Sequence, residues 1–167
     1  MSTIIKSDPA AHWIVTGGDD VLPDPNHTAQ EIGLQCLEHF GGTFGVMQPT
    51  GDRWGEDGTG LAASDRLCYS PFMGREFCRR MYGGSGPLFS GYVHMFVDEE
   101  LQEVALKLDC LWQRRDLIHK HEHWARDGGE MPRFLYRANT REHWDQFQSL
   151  FQRRKASGFP GHEPIAA

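Results

Sequence analysis

Asp98-Glu-Glu-Leu-Gln-Glu-Val-Ala-Leu-Lys-Leu-Asp-Cys-Leu-Trp-Gln-Arg-Arg-Asp-Leu-Ile-His-Lys-His-Glu-His-Trp124 predicts the longest helix of the chain, from about 99 to 125. Leu101, Val104, Ala105, Leu108, Leu111, Trp112 and Ile118 recur at three- and four-residue spacing and make one apolar face. Asp98 is the expected N-cap. Glu99, Glu100 and Glu103 lie in the opening turns, where the helix dipole favours negative charge.

Either side of this stretch the signals are shorter. Ile32, Cys36, Leu37 and Phe40 predict a helix over 28–40, stopped by Gly41-Gly42. Ser70-Pro71 reads as a helix start. Phe72, Met73, Phe77, Cys78 and Met81 follow as its stripe. Thr140 caps a last helix over 141–155, with Trp144, Phe147, Leu150 and Phe151 on its face. Strands are expected at His12–Thr16, within Thr43–Gln48, at Leu88–Phe96 and, as a strand or extended link, at Pro132–Arg137. Residues 1–26 read as largely irregular. The glycine-rich segment 41–60 reads as a surface loop or lid, and the tail 156–167 as loose. The sum is one α+β domain over 1–167, predominantly helical, with about four helices and a few short strands.

Length and composition agree. A chain of 167 residues can bury a core without disulfides or a structural metal. Five Trp, four Tyr and ten Phe argue against disorder. Cys36, Cys68, Cys78 and Cys110 include no C-x-x-C pair, so a zinc ribbon or thioredoxin-like motif is not supported, and three of them fall at apolar helix positions. The N-terminus lacks a basic stretch followed by an apolar run, and no apolar stretch is long enough to cross a bilayer. A cytoplasmic protein with reduced thiols is the expectation.

Charge is uneven. Residues 1–110 hold 7 Lys/Arg against 16 Asp/Glu, whereas residues 111–155 hold 10 against 6. The basic part is also the histidine-rich part, which would suit an anionic ligand or an acidic surface. The acidic remainder disfavours nucleic acid.

The candidate chemistry is in His119-Lys-His-Glu-His123. Neutral imidazole is the commonest protein ligand for transition metals and also titrates near neutral pH. On a helix, His119 and His123 share a face with Asp116, which would orient one ring. A divalent transition metal, zinc or iron, is the cofactor that such a set would take. If the helix ends near 119, the segment is extended and His119, His121 and His123 share one face instead. The string also matches H-x-x-E-H, but only 44 residues remain to supply a further ligand.

Two functions follow as expectations. One is a small enzyme, or enzyme subunit, acting on a small aromatic or anionic molecule. His119, His123 and Asp116 would be catalytic, His119, His121 and His123 would be metal ligands, and Trp124, Tyr136, Trp144 and Arg137 would hold the substrate, with Trp112 beside them. The other is a non-catalytic accessory subunit that meets a protein partner, or further copies of itself, through Trp- and Arg-rich surfaces.

Overall fold

The computed structural model describes residues 11–126, 128–136 and 140–166. Among them the elements run β1 (Trp13–Val15), β2 (Val21–Leu22), α1 (Ala29–Phe40), β3 (Val46–Pro49), β4 (Phe72–Gly74), α2 (Arg75–Arg80), α3 (Val97–Lys107), β5 (Leu111–Arg114), β6 (Lys120–His121) and α4 (Arg141–Ala156). This is the expected α+β domain, with four helices and short strands. The sheet order is β1-β4-β3-β5, antiparallel except for the parallel pair β3/β5. A separate antiparallel pair joins β2 to β6.

Period-two alternation decides which helix covers which face. Ile14, Val46, Met73 and Leu111 point into a core formed with α2, α3 and α4. Their neighbours Trp13, Met47, Phe72 and Trp112 point to the other side, against Ile32 and Cys36 of α1. The sheet is therefore covered by helices on both faces.

Two helices begin where their local capping signals place them. Thr28 caps α1 through a reciprocal capping box with Glu31. Thr140 caps α4 by accepting from the His143 N–H. All four cysteines are buried and free.

The long helix expected from about 99 to 125 does not form as one element. α3 stops at Lys107, eighteen residues short, in a Schellman motif. Cys110 N–H donates to the Ala105 carbonyl, Asp109 N–H donates to that of Leu106, and Asp109 takes φ 52°. Glycine is the usual residue at that left-handed position; an aspartate there conceals the stop. The apolar residues beyond it belong to a strand, Leu111 on one face and Trp112 on the other. Phe96, with φ 68°, is the N-cap in place of Asp98.

The helix expected from Ser70 is β4 followed by α2. The Thr43 carbonyl accepts the N–H groups of Glu76 and Phe77 and so caps α2 from across the chain. A side chain at Gly74 would lie 2.1 Å from that oxygen. Leu88–Phe96 forms turns, not a strand, because its rings serve the core one by one. Phe89, Tyr92 and Phe96 pack against one another's neighbours and α4. Segment 41–60 contains β3, the fully buried strand between β4 and β5, so it is not simply a surface loop. Residues 133–136 form a 3-10 turn. The tail packs. Phe159 and His162 are buried, Lys107 Nζ donates to the Gly158 carbonyl, and Arg80 and Ile165 exchange two hydrogen bonds.

Candidate active site

Because α3 ends early, the histidine segment is extended. β6 pairs with β2 in the register Val21↔His121 and Leu22↔Lys120, and Glu122 N–H donates to the Asp20 carbonyl at 2.7 Å. Period two then places Lys120 and Glu122 on one side, where they pair at 2.7 Å. His119, His121 and His123 lie on the other.

The three imidazoles have separate partners. His119 is buried, its Nδ1 lies 2.7 Å from Ser70 Oγ and its ring packs on Phe72. The Tyr69 hydroxyl donates to the His119 carbonyl at 2.5 Å, and the Tyr69 ring stacks on His121. His121 Nε2 meets Asp20 Oδ2 at 3.1 Å, and its N–H donates to Asp52 Oδ2 at 2.8 Å. His123 stacks on Trp54 with ring centres 5.0 Å apart. One Arg126 nitrogen bridges both oxygens of Asp52 at 2.6 and 2.5 Å. Burial raises the Asp52 carboxyl, but Arg126 and the His121 and Trp54 N–H groups outweigh it and hold the carboxyl below its usual range. Among the described residues no group of three or more His, Cys, Asp or Glu side chains is arranged to hold a metal ion. A set made of His119, His121 and His123 shares a side without converging on a point.

The other expected site residues are dispersed. Asp116 is on the surface and pairs with Arg114, whose guanidinium holds its carboxyl low; it does not orient a histidine. Trp124 lies against His123. Trp112 stacks face to face on His39, Trp144 of α4 packs on Phe96, and Tyr136 is exposed. Arg137 lies outside the described residues. The basic segment is also largely paired, with Arg126 on Asp52, Arg154 on Glu100 and Lys155 on Glu103.

What the fold does assemble is a cleft of about 230 Å³ on the α1 side of the sheet, between the β1–β2 turn and α1. Val15, Val21, Pro23, Ile32 and Phe72 make it apolar. Ser70, His119 and His27 are its polar groups. His27 was not singled out from sequence, nor were Ser70 and Asp24 as site residues. Asp24 is buried and accepts three hydrogen bonds. His27 Nδ1–H meets Oδ1 at 2.9 Å, Asn26 N–H meets Oδ1 at 2.8 Å, and Ile118 N–H meets Oδ2 at 2.9 Å. Burial works against the Asp24 charge, yet these donors, led by Ile118, bring its carboxyl down to about 2. The local signal was an Asx turn in Asp24-Pro-Asn-His27. Nothing local says that this turn faces residue 119.

No family model, curated protein or solved structure matches the chain.

The electrostatics single out His119. Burial lowers its pKa from the ordinary 6.5, and the Asp24 charge offsets this only in part. Its ring is therefore neutral at neutral pH. With Nδ1 engaged by Ser70, Nε2 is the nitrogen that can address a bound molecule. His27, tied through Nδ1 to a carboxylate, likewise has Nε2 left. Away from the cleft, burial and then Glu99 push the Asp98 carboxyl up to about 7. Among the described residues no helix is long and apolar enough to cross a membrane.

Proposed function

We propose that the chain is a small enzyme, or enzyme subunit, that transfers protons on a small molecule held in the cleft. His119 and His27 are its acid–base groups. One observation carries this reading: two imidazoles from distant parts of the chain line the same cavity, each held through Nδ1 by a buried partner. A cavity of about 230 Å³ lies below the roughly 300–1,000 Å³ of pockets for drug-sized ligands, so the substrate is small. The apolar walls favour a mostly apolar body with one polar group directed at the histidines. A neutral, desolvated His119 is poised to accept or relay a proton near pH 7.

The test has two stages. Histidine ring resonances are followed by NMR while compounds that fit the cleft are added, and those that shift both His27 and His119 are assayed for turnover. His119→Gln and His27→Gln should each lower kcat by about 10²–10⁴ without loss of folding. Turnover unchanged in both variants would remove the reading.

A second reading, docking of a protein partner, is favoured by one observation. Val15, Leu22 and Ile118, on segments around the cleft, are 45%, 48% and 46% exposed. Light scattering coupled to size exclusion discriminates the two. A stable complex abolished by Val15→Ser and Leu22→Ser, with the histidine variants silent, would favour docking.

A further inference from the structure

We infer that Asp24 is the positioning residue that sets the proton roles of both imidazoles in the cleft. The inference rests on the acid–base reading above and adds the group that organises it. Asp24 lies in the turn before α1, while His119 lies in the segment entering β6, directly after Ile118, which is 94 residues from Asp24 in the chain. One buried carboxylate spans the two. Its Oδ1 accepts from His27 Nδ1, and its Oδ2 accepts from the N–H of Ile118, the residue before His119.

Two consequences follow from hydrogen-bond chemistry. A carboxylate held ionised can only accept, so His27 Nδ1 must carry the proton. Neutral His27 then presents the Nε2 lone pair to the cleft and serves as the base. The second oxygen fixes the height of the 118–119 backbone, and with it the reach of the His119 ring between Ser70 and Phe72. His119 has no carboxylate on Nδ1 but a hydroxyl, which can donate or accept. It can therefore change tautomer as a proton passes, whereas His27 cannot. Glu31 and Asp116 are the other carboxylates near His27, and they bond elsewhere, Glu31 to Thr28 and Asp116 to Arg114.

The experiment reads tautomers directly, independent of any substrate. Long-range ¹H–¹⁵N correlations of the imidazoles are recorded at about pH 8.5, some two units above the ordinary histidine pKa, where the rings are neutral. Amide exchange at Ile118 is measured alongside. The expected wild-type result is His27 in the Nδ1–H form with Ile118 protected. Asp24→Ala should shift His27 towards the Nε2–H form and speed Ile118 exchange roughly ten- to hundred-fold, as for a lost hydrogen bond to a charged group. Asp24→Asn keeps the size of the side chain and one carbonyl acceptor, so it should retain one of the two tethers and lose the other. It also serves if Asp24→Ala does not fold. His27 in the Nε2–H form in the wild type, or both signals unchanged in the Asn and Ala variants, would overturn the assignment. Because no ligand is used, this result can fail while compounds still bind the cleft, and the ligand screen can fail while the tautomer result stands.

Discussion

Replacing Arg154 by leucine isolates the interaction that ties α4 to α3. Glu100 is 1% exposed and receives four hydrogen bonds. Arg154 Nε and Nη2 donate at 2.8 and 2.7 Å, and the Tyr82 and Tyr92 hydroxyls donate at 2.7 and 2.8 Å. Arg154 also lies over the Phe89 ring and donates to the Pro160 carbonyl at 3.2 Å. Leucine preserves most of the apolar stem and removes the fork, leaving an ionised carboxylate in the core with only two phenols. Removing one partner of a buried pair costs about 3–5 kcal/mol. The surviving phenols place the expected loss near the low end, about 3 kcal/mol. For a domain of this size that is a fall of roughly 6–12 °C in Tm. Urea unfolding is the assay, read as a lower midpoint at unchanged slope. In Arg154→Leu/Glu100→Gln the orphaned charge is absent, so the double variant should be more stable than the sum of the single losses implies, by more than about 1 kcal/mol. A single-variant loss under about 1 kcal/mol, or additivity within about 0.5 kcal/mol, would refute the view of this network as a charge held by its partners.

Three further outcomes are expected. Thr28→Ala removes the α1 capping box and should cost about 1 kcal/mol, measured by the same unfolding curves, whereas Thr28→Ser should cost little. Gly74→Ala drives a methyl into the Thr43 carbonyl and should cost at least about 3 kcal/mol or prevent folding. Near-wild-type soluble yield and Tm would contradict the close approach of these backbones. Burial lowers the folded pKa of His119 below 6.5, so as pH falls the unfolded chain binds that proton first. The stabilisation is complete above about 6.5 and is lost as pH falls through that value towards the folded pKa. His123 acts in the same direction, through burial and then repulsion from His121. Unfolding midpoints between about pH 5 and 8 should therefore decline on the acid side. His119→Gln should flatten the decline in part, and an unaltered slope would count against a buried neutral His119.

The helices that were legible in the sequence are those whose ends are written locally. Thr28 with Glu31, and Thr140 before a regular stripe, state where α1 and α4 begin because a cap is a contact over three residues. Where the deciding contact is remote, the signals mislead. α2 is capped by Thr43, not by Ser70, and α3 stops at an aspartate holding a backbone conformation usual for glycine. Leu111 and Trp112 satisfy the helical period as well as the strand period, since a four-residue run fits both. The histidine segment stood out as a cluster of side chains. Its alternate reading as an extended run with all three rings on one side is the arrangement found, once the helix ends.

By itself, the sequence determined the α+β class, the caps of two helices and the burial of Cys36, Cys78 and Cys110. Each depends on composition or on neighbours within a few positions. Only the tertiary structure decided which groups His119 touches. Ser70, just before β4, meets its Nδ1, and Asp24 reaches the backbone beside it from the far side of the chain. Asp116, three residues away in sequence, turns to Arg114 instead. Side-chain partners in a cleft are chosen by the meeting of strands and turns, and that choice has no period in the sequence.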